Sequence, residues 1–165
     1  MIRHAARALC AASLVIAPLA LTATPAHAAT VCRVNGVPAS GPTVNGTAGD
    51  DFIECSSVDP GHTVNGLGGR DYIVLTGPTA GTVTGGAGRD YITSRSDVVV
   101  SGVIAGNEDS DYLVVDGLLA SGGAVRGNLG NDYVKVNVSD GTTNGGDGFD
   151  VCRVTTGNPP VNCEY

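Results

Sequence analysis

Basic charge is scarce in this chain: one lysine, Lys135, and eight arginines stand against sixteen acidic residues. Such a surface suits neither nucleic acid nor an anionic membrane, and it suits cations well. Long apolar runs are missing too. The run from Ala8 to Leu21 falls short of the roughly 20 residues a spanning helix needs, so no membrane span is expected. Histidine is nearly absent, and beyond the first 28 residues only His62 remains. It sits in a Pro-Gly-His turn, a solvated loop position by default, and no nucleophile and base at a recognisable spacing accompany it. No apolar stripe recurs at helical spacing either, because Gly, Thr, Val and Asn dominate.

What is present begins with an export signal. Arg3 and Arg7, the apolar run, and then Ala26-His27-Ala28 with small residues where a signal peptidase reads predict a secretory leader over residues 1–28. Its removal takes away both arginines. Every acidic residue lies at Asp50 or beyond, so the mature chain carries seven basic and sixteen acidic residues, a net charge of −9. With Cys10 in the leader, Cys32, Cys55, Cys152 and Cys163 are left in a secreted, oxidising setting, which reads as two disulfides. Three pairings are possible. Two cysteines near each end of the repeats favour Cys32–Cys55 and Cys152–Cys163 as end clamps.

Six segments fall into register on an Asp followed by an aromatic or aliphatic residue: Gly46 to Ile53, Gly66 to Ile73, Gly85 to Ile92, Gly106 to Leu113, Gly127 to Val134 and Gly145 to Cys152. The aligned residues Asp51, Asp71, Asp90, Asp111, Asp132 and Asp150 are 20, 19, 21, 21 and 18 residues apart. A period of that size means one coil per repeat. Each turn follows a β-prone piece such as Thr43-Val44-Asn45, Thr63-Val64-Asn65 or Thr82-Val83-Thr84. After the Asp, Ile53 and Cys55, Ile73 and Leu75, Leu113 and Val115, Val134 and Val136 alternate with Phe52, Tyr72, Tyr91, Tyr112 and Tyr133. Period two marks strands with one buried face. One repeat has too little apolar surface to fold alone, and stacked coils share a narrow aliphatic core. Ordering so many glycines costs extra backbone entropy, so something else must help hold the coils together.

The expected fold is all-β, a right-handed parallel β-solenoid with about 20 residues per coil. An N-terminal cap is expected over 29–44, six turns over 45–154 and a C-terminal cap over 155–165. Adjacent coils lie about 4.8 Å apart, so one Asp per coil makes a file of carboxylates at that spacing. Two bare charges at roughly 5 Å repel by about 3 kcal/mol at an effective dielectric near 20. A calcium ion takes about 6–8 oxygen ligands at about 2.4 Å, and two such distances span the coil spacing. Glycine lets turn carbonyls approach, and Asn107 and Asn128 stand where the left-handed region must be tolerated.

The repeats resemble the RTX, or haemolysin-type, nonapeptide Gly-Gly-x-Gly-x-Asp-x-aliphatic-x over about residues 44 to 154. The copies at Gly85 to Asp90 and Gly145 to Asp150 match every fixed position; the others miss the second glycine. The resemblance implies a parallel β-roll holding Ca2+ between stacked turns. The six aligned Asp side chains would serve as ligands, along with the turn positions Gly46, Gly49, Gly66, Gly69, Gly86, Gly88, Gly127, Gly130, Gly146 and Gly148. Family repeats recur every nine residues and place ions on both sides. The doubled spacing here implies ions along one side, at five inter-turn sites at most. Asp109 stands where the motif has Gly, either as an extra ligand or as a break in that turn.

The expectation is therefore a non-enzymatic, extracellular calcium-binding repeat protein whose folding is coupled to the ion. Its rival is an adhesion module in which the aromatic row contacts a cell-surface glycan or protein. An outward threonine row, Thr43, Thr63 and Thr82, suggests ice binding but breaks at Val103 and Ala124.

Overall fold

The computed structural model describes residues 29–165; the expected leader and Cys10 lie outside the described residues. A hairpin leads. Strands β1 (Val31–Val34) and β2 (Val37–Ser40) meet at Asn35-Gly36, both at positive φ (52° and 80°), the backbone a two-residue hairpin loop demands. Six coils follow, each a strand, a Gly/Asp turn and a second strand. The first three are β3 (Thr43–Asn45) with β4 (Phe52–Ser57), β5 (Thr63–Gly68) with β6 (Tyr72–Leu75), and β7 (Thr82–Ala87) with β8 (Tyr91–Ser94). After the two-residue β9 (Val99–Val100) come β10 (Val103–Glu108) with β11 (Tyr112–Leu119), and β12 (Ala124–Leu129) with β13 (Tyr133–Ser139). The last coil is β14 (Thr142–Asp147) with β15 (Val151–Gly157).

Strands that precede the turns form one parallel sheet, β14-β12-β10-β7-β5-β3. Strands that follow the turns form the other, β15-β13-β11-β8-β6-β4, with β9 beside β11. No helix occurs among the described residues, and hence none long and apolar enough to cross a membrane. The chain is a parallel β-solenoid of about twenty residues per coil, as the repeat period predicts.

Stacking like on like builds the core. Val44, Val64, Val83, Ile104, Val125 and Thr143 pair in register down one sheet. Ile53, Ile73, Ile92, Leu113, Val134 and Cys152 do so down the other, and nearly all of these side chains are fully buried. A third file, Val58, Thr79 and Val100, closes the coils on the side away from the Gly/Asp turns. The alternation read from the sequence holds, with Ile53 buried and Phe52 exposed, Ile73 buried and Tyr72 exposed.

Both ends of a parallel stack would offer open strand edges, which invite unwanted pairing. At the start, β1 lies antiparallel on β4, and β2, carrying Pro38, lies antiparallel on β1, a placement that suits proline at an edge. At the other end the tail folds back, Val161 bridging Asn144 and the Cys152 amide donating to the Tyr165 carbonyl. The disulfides Cys32–Cys55 and Cys152–Cys163 tie these two ends, the pairing that end clamps require.

Candidate metal centre

The side chain two residues before each inward Ile, Leu, Val or Cys must also face inward, and in every coil that residue is the aligned Asp. Asp51, Asp71, Asp90, Asp111, Asp132 and Asp150 are all buried, none more than 4 % exposed. They run in one file along one edge. The Asp51 amide donates to Asp71 Oδ1, Asp71 to Asp90, Asp90 to Asp111, Asp111 to Asp132 and Asp132 to Asp150, each at 2.8 Å. Backbone N–H groups therefore hold one oxygen of each carboxylate in place.

The second oxygen is treated differently. Oδ2 of Asp71, Asp90, Asp111, Asp132 and Asp150 is buried without a hydrogen-bond partner, an arrangement that costs free energy unless something offsets it. It points at the glycine five residues earlier. A methyl group added at Gly66, Gly85, Gly106, Gly127 or Gly145 would lie 2.0–2.6 Å from that oxygen. At Gly66 and Gly127 the same methyl would also meet the carbonyl oxygen of the next coil, Gly85 or Gly145, at 2.3 Å. Gly66 and Gly127 thus each leave a cradle in which a carboxylate oxygen and a carbonyl oxygen of the adjoining coil converge. Gly85, Gly106 and Gly145 hold the same position five residues before the Asp although the ligand set read from the sequence omits them.

The turns are built on alternating left-handed residues. Gly86, Asn107, Asn128, Gly146 and Leu67 have positive φ four residues before the Asp, as do Gly69, Gly88, Asp109, Gly130 and Gly148 two before it. Asn107 and Asn128 fulfil the tolerance expected of Asn, and their side chains bond across coils at 3.2 Å. Asp109 adopts φ 72°, so the turn keeps its shape. Its exposed side chain lies outside the buried file.

The first turn departs from this plan. Thr47 and Gly49 lack positive φ, and Thr47 donates to Asp51 Oδ2 through its amide (2.6 Å) and its hydroxyl (3.0 Å). Asn35 donates to Asp51 Oδ1 at 2.5 Å and accepts the Phe52 amide at 2.9 Å. Asn35 and Thr47 are part of the site but carry no repeat signal; only the structure places them there.

Electrostatics follow the hydrogen bonds. Burial pushes the Asp51 carboxyl up, but the Thr47 amide, Asn35 and the Thr47 hydroxyl outweigh it and hold Asp51 below the usual carboxylate range. Further along, burial wins over the single backbone bond. Asp71 is raised; Asp90 and Asp132 are pushed up to about 6, and Asp111 to about 8, with neighbouring carboxylates adding to the effect. Negative charge in the middle of the file is therefore costly without a counter-charge. All donors there are oxygens, which suits a hard cation in chemistry.

Two other expectations meet the structure here. Phe52, Tyr72, Tyr91, Tyr112 and Tyr133 stack face to face, with centroids 5.6, 4.9, 5.1 and 4.4 Å apart. The ring faces cover one another, so a ligand would meet edges and hydroxyls. His62 Nδ1 lies 2.8 Å from Thr30 Oγ1, but that hydroxyl is fully buried and accepts the Asp59 amide. The contact fastens the first described residues to the coil. Compared with family models, with curated proteins and with solved structures, the chain matches none. Fold and site thus define a β-solenoid repeat protein with a buried carboxylate file.

Proposed function

We propose that the chain is an extracellular calcium-binding repeat protein that holds Ca2+ at the Gly/Asp turns, with ion binding coupled to folding. The observation that carries this reading is the row of partnerless Oδ2 atoms on Asp71, Asp90, Asp111, Asp132 and Asp150, each aimed at the glycine five residues earlier. When bound, the ion would supply the positive charge that offsets repulsion along the file. The five Asp side chains with a partnerless Oδ2 and the turn carbonyls are the ligand candidates, and the resemblance of the repeats to the RTX nonapeptide points to a set that adds Asp51 to these. Secretion fits the leader and the two disulfides, since such bonds persist in oxidising compartments. Affinity is expected in the ~10⁻⁴ to 10⁻³ M range of extracellular calcium modules. The reading is non-catalytic.

Circular dichroism and thermal melting in chelator and in millimolar Ca2+ test it. Binding to the native state raises the midpoint by mass action, so the melt should move up with Ca2+ concentration. An unchanged midpoint at pH 8 would mean that protons, not metal, neutralise the file.

A second reading rests on the exposed aromatic row, with Phe52, Tyr72 and Tyr112 39–45 % exposed. In it the ring edges bind a cell-surface glycan or protein and calcium is secondary. Replacing Tyr72 and Tyr112 by Ala separates the two: loss of glycan-array binding with calcium uptake intact favours the adhesion module.

A further inference from the structure

Among the described residues no seventh repeat stacks on the last coil, and the tail reproduces what such a repeat would bring. In the body of the solenoid the Asp71 and Asp132 levels each consist of three parts. They are the partnerless Oδ2 of one Asp, the carbonyl of the next coil's leading glycine, and a carboxylate from the next coil that accepts the first Asp's amide. At the end of the stack the Asp150 amide donates to Glu164 Oε2 at 2.5 Å, where the other levels use an Asp. A methyl on Gly145 would meet Asn162 O at 2.1 Å and Asp150 Oδ2 at 2.6 Å, so Asn162 supplies the carbonyl. Backbone pairing confirms the register: the Gly145 amide donates to Val161 O, as Gly46 donates to Asn65 O at the opposite end. Asn162 takes a left-handed φ of 50°.

The tail reaches from carbonyl to carboxylate in two residues where a coil uses five. Glu, one methylene longer than Asp, makes up the shortened path. Between the two lies Cys163, bonded to Cys152. Glu164 returns its own amide to Asp150 O. Asp150 itself is fully buried and its Oδ2 has no partner, so an inward-aimed oxygen marks this level as it does the repeats.

We infer that the C-terminal tail completes a further divalent-cation site, made by Asp150, the carbonyl of Asn162 and Glu164 and held together by the Cys152–Cys163 disulfide. This inference rests on the calcium reading above and adds to it a site outside the repeats. It also shifts the set of sites: the Asp51 level is closed by Thr47, and the terminal level is open. Glu164 carries no repeat signal, so a count of inter-turn gaps misses it.

The test is the number of Ca2+ ions bound by the full mature chain, measured by calorimetry or equilibrium dialysis. Glu164→Gln should bind one ion fewer than the unmodified chain. The double variant Cys152→Ser/Cys163→Ser, which frees both tail ligands at once, should lose the same single ion. If Glu164→Gln fails to give the native β-sheet spectrum, the double variant and the wild-type chain reduced by thiol decide. Unchanged stoichiometry and affinity in folded variants would overturn the terminal site and leave the repeat sites standing. No calcium uptake by the unmodified chain would remove the calcium reading itself and the terminal site with it.

Discussion

Single residues in this molecule are constrained mainly by what passes close to them. Gly127 illustrates the point, because a β-carbon there would collide with the Asp132 carboxylate and with the Gly145 backbone together. Backbone cannot yield as a flexible side chain can, so Gly127→Ala should cost about 3 kcal/mol or more in urea unfolding. Gly49, the first-turn counterpart of Gly130 two residues before the Asp, has Thr47 Oγ1 at 3.9 Å as its nearest neighbour and no positive φ. Gly49→Ala should stay within about 0.5 kcal/mol. Leu67 is the converse case: a bulky residue at φ 83° that the motif would fill with glycine. Left-handed backbone costs an L-residue about 1–2 kcal/mol, and half of its side chain is exposed. Leu67→Gly should therefore stabilise by up to ~1 kcal/mol, after the glycine's own entropy is set against the strain relieved. A lower denaturation midpoint would show that the leucine packs against something that matters.

At the scale of the elements, the carboxylate file links stability to pH. Asp71, Asp90, Asp111 and Asp132 have native pKa values raised above the ordinary 3.8, so between those limits the folded chain holds protons that the unfolded chain has released. Stability in chelator should be greatest near about pH 4 to 5 and fall as pH rises through about 6 and then about 8. Asp51, shifted the other way, adds stability above about pH 4 and loses it below. Calcium competes with the protons, so in saturating Ca2+ the fall between pH 5 and 8 should shrink or reverse. Urea melts at both pH values, with and without chelator, read this directly. The aromatic file is the second element-scale device. Tyr112 stacks on Tyr91 and Tyr133, and two cross-strand pairs at roughly 0.2–1 kcal/mol each put the cost of Tyr112→Ala at about 0.4–2 kcal/mol.

Over the whole molecule, each coil touches chiefly its neighbours, and Tyr91 and Tyr112 occupy matching positions one coil apart. Deleting residues 91–111 joins Asp90 to Tyr112 and removes one coil in register. The shortened chain should still fold, with a urea m-value lower by about one sixth, since m follows the surface exposed on unfolding. A spectrum without β-sheet would mean that the coils are not interchangeable. Much of this architecture was legible in advance because Asp, the inward aliphatic and the outward aromatic recur at one period and need no partner distant in sequence to be recognised. The Oδ1 bonds to backbone amides were not legible, because a main-chain donor leaves no trace in residue identity. Nor were Asn35, Thr47 and Glu164. Each meets the file only through the path of a hairpin, a deviant first turn or a returning tail.

The amide-to-carboxylate bonds between coils all run the same way. Asn35 offers a side-chain donor to the first carboxylate, and Glu164 accepts the last amide. Neither terminator recognises how many rungs lie between. Duplicating one coil would leave both ends chemically intact while lengthening the body by about 4.8 Å, so the gene can set the rod's reach in fixed increments without redesigning either end.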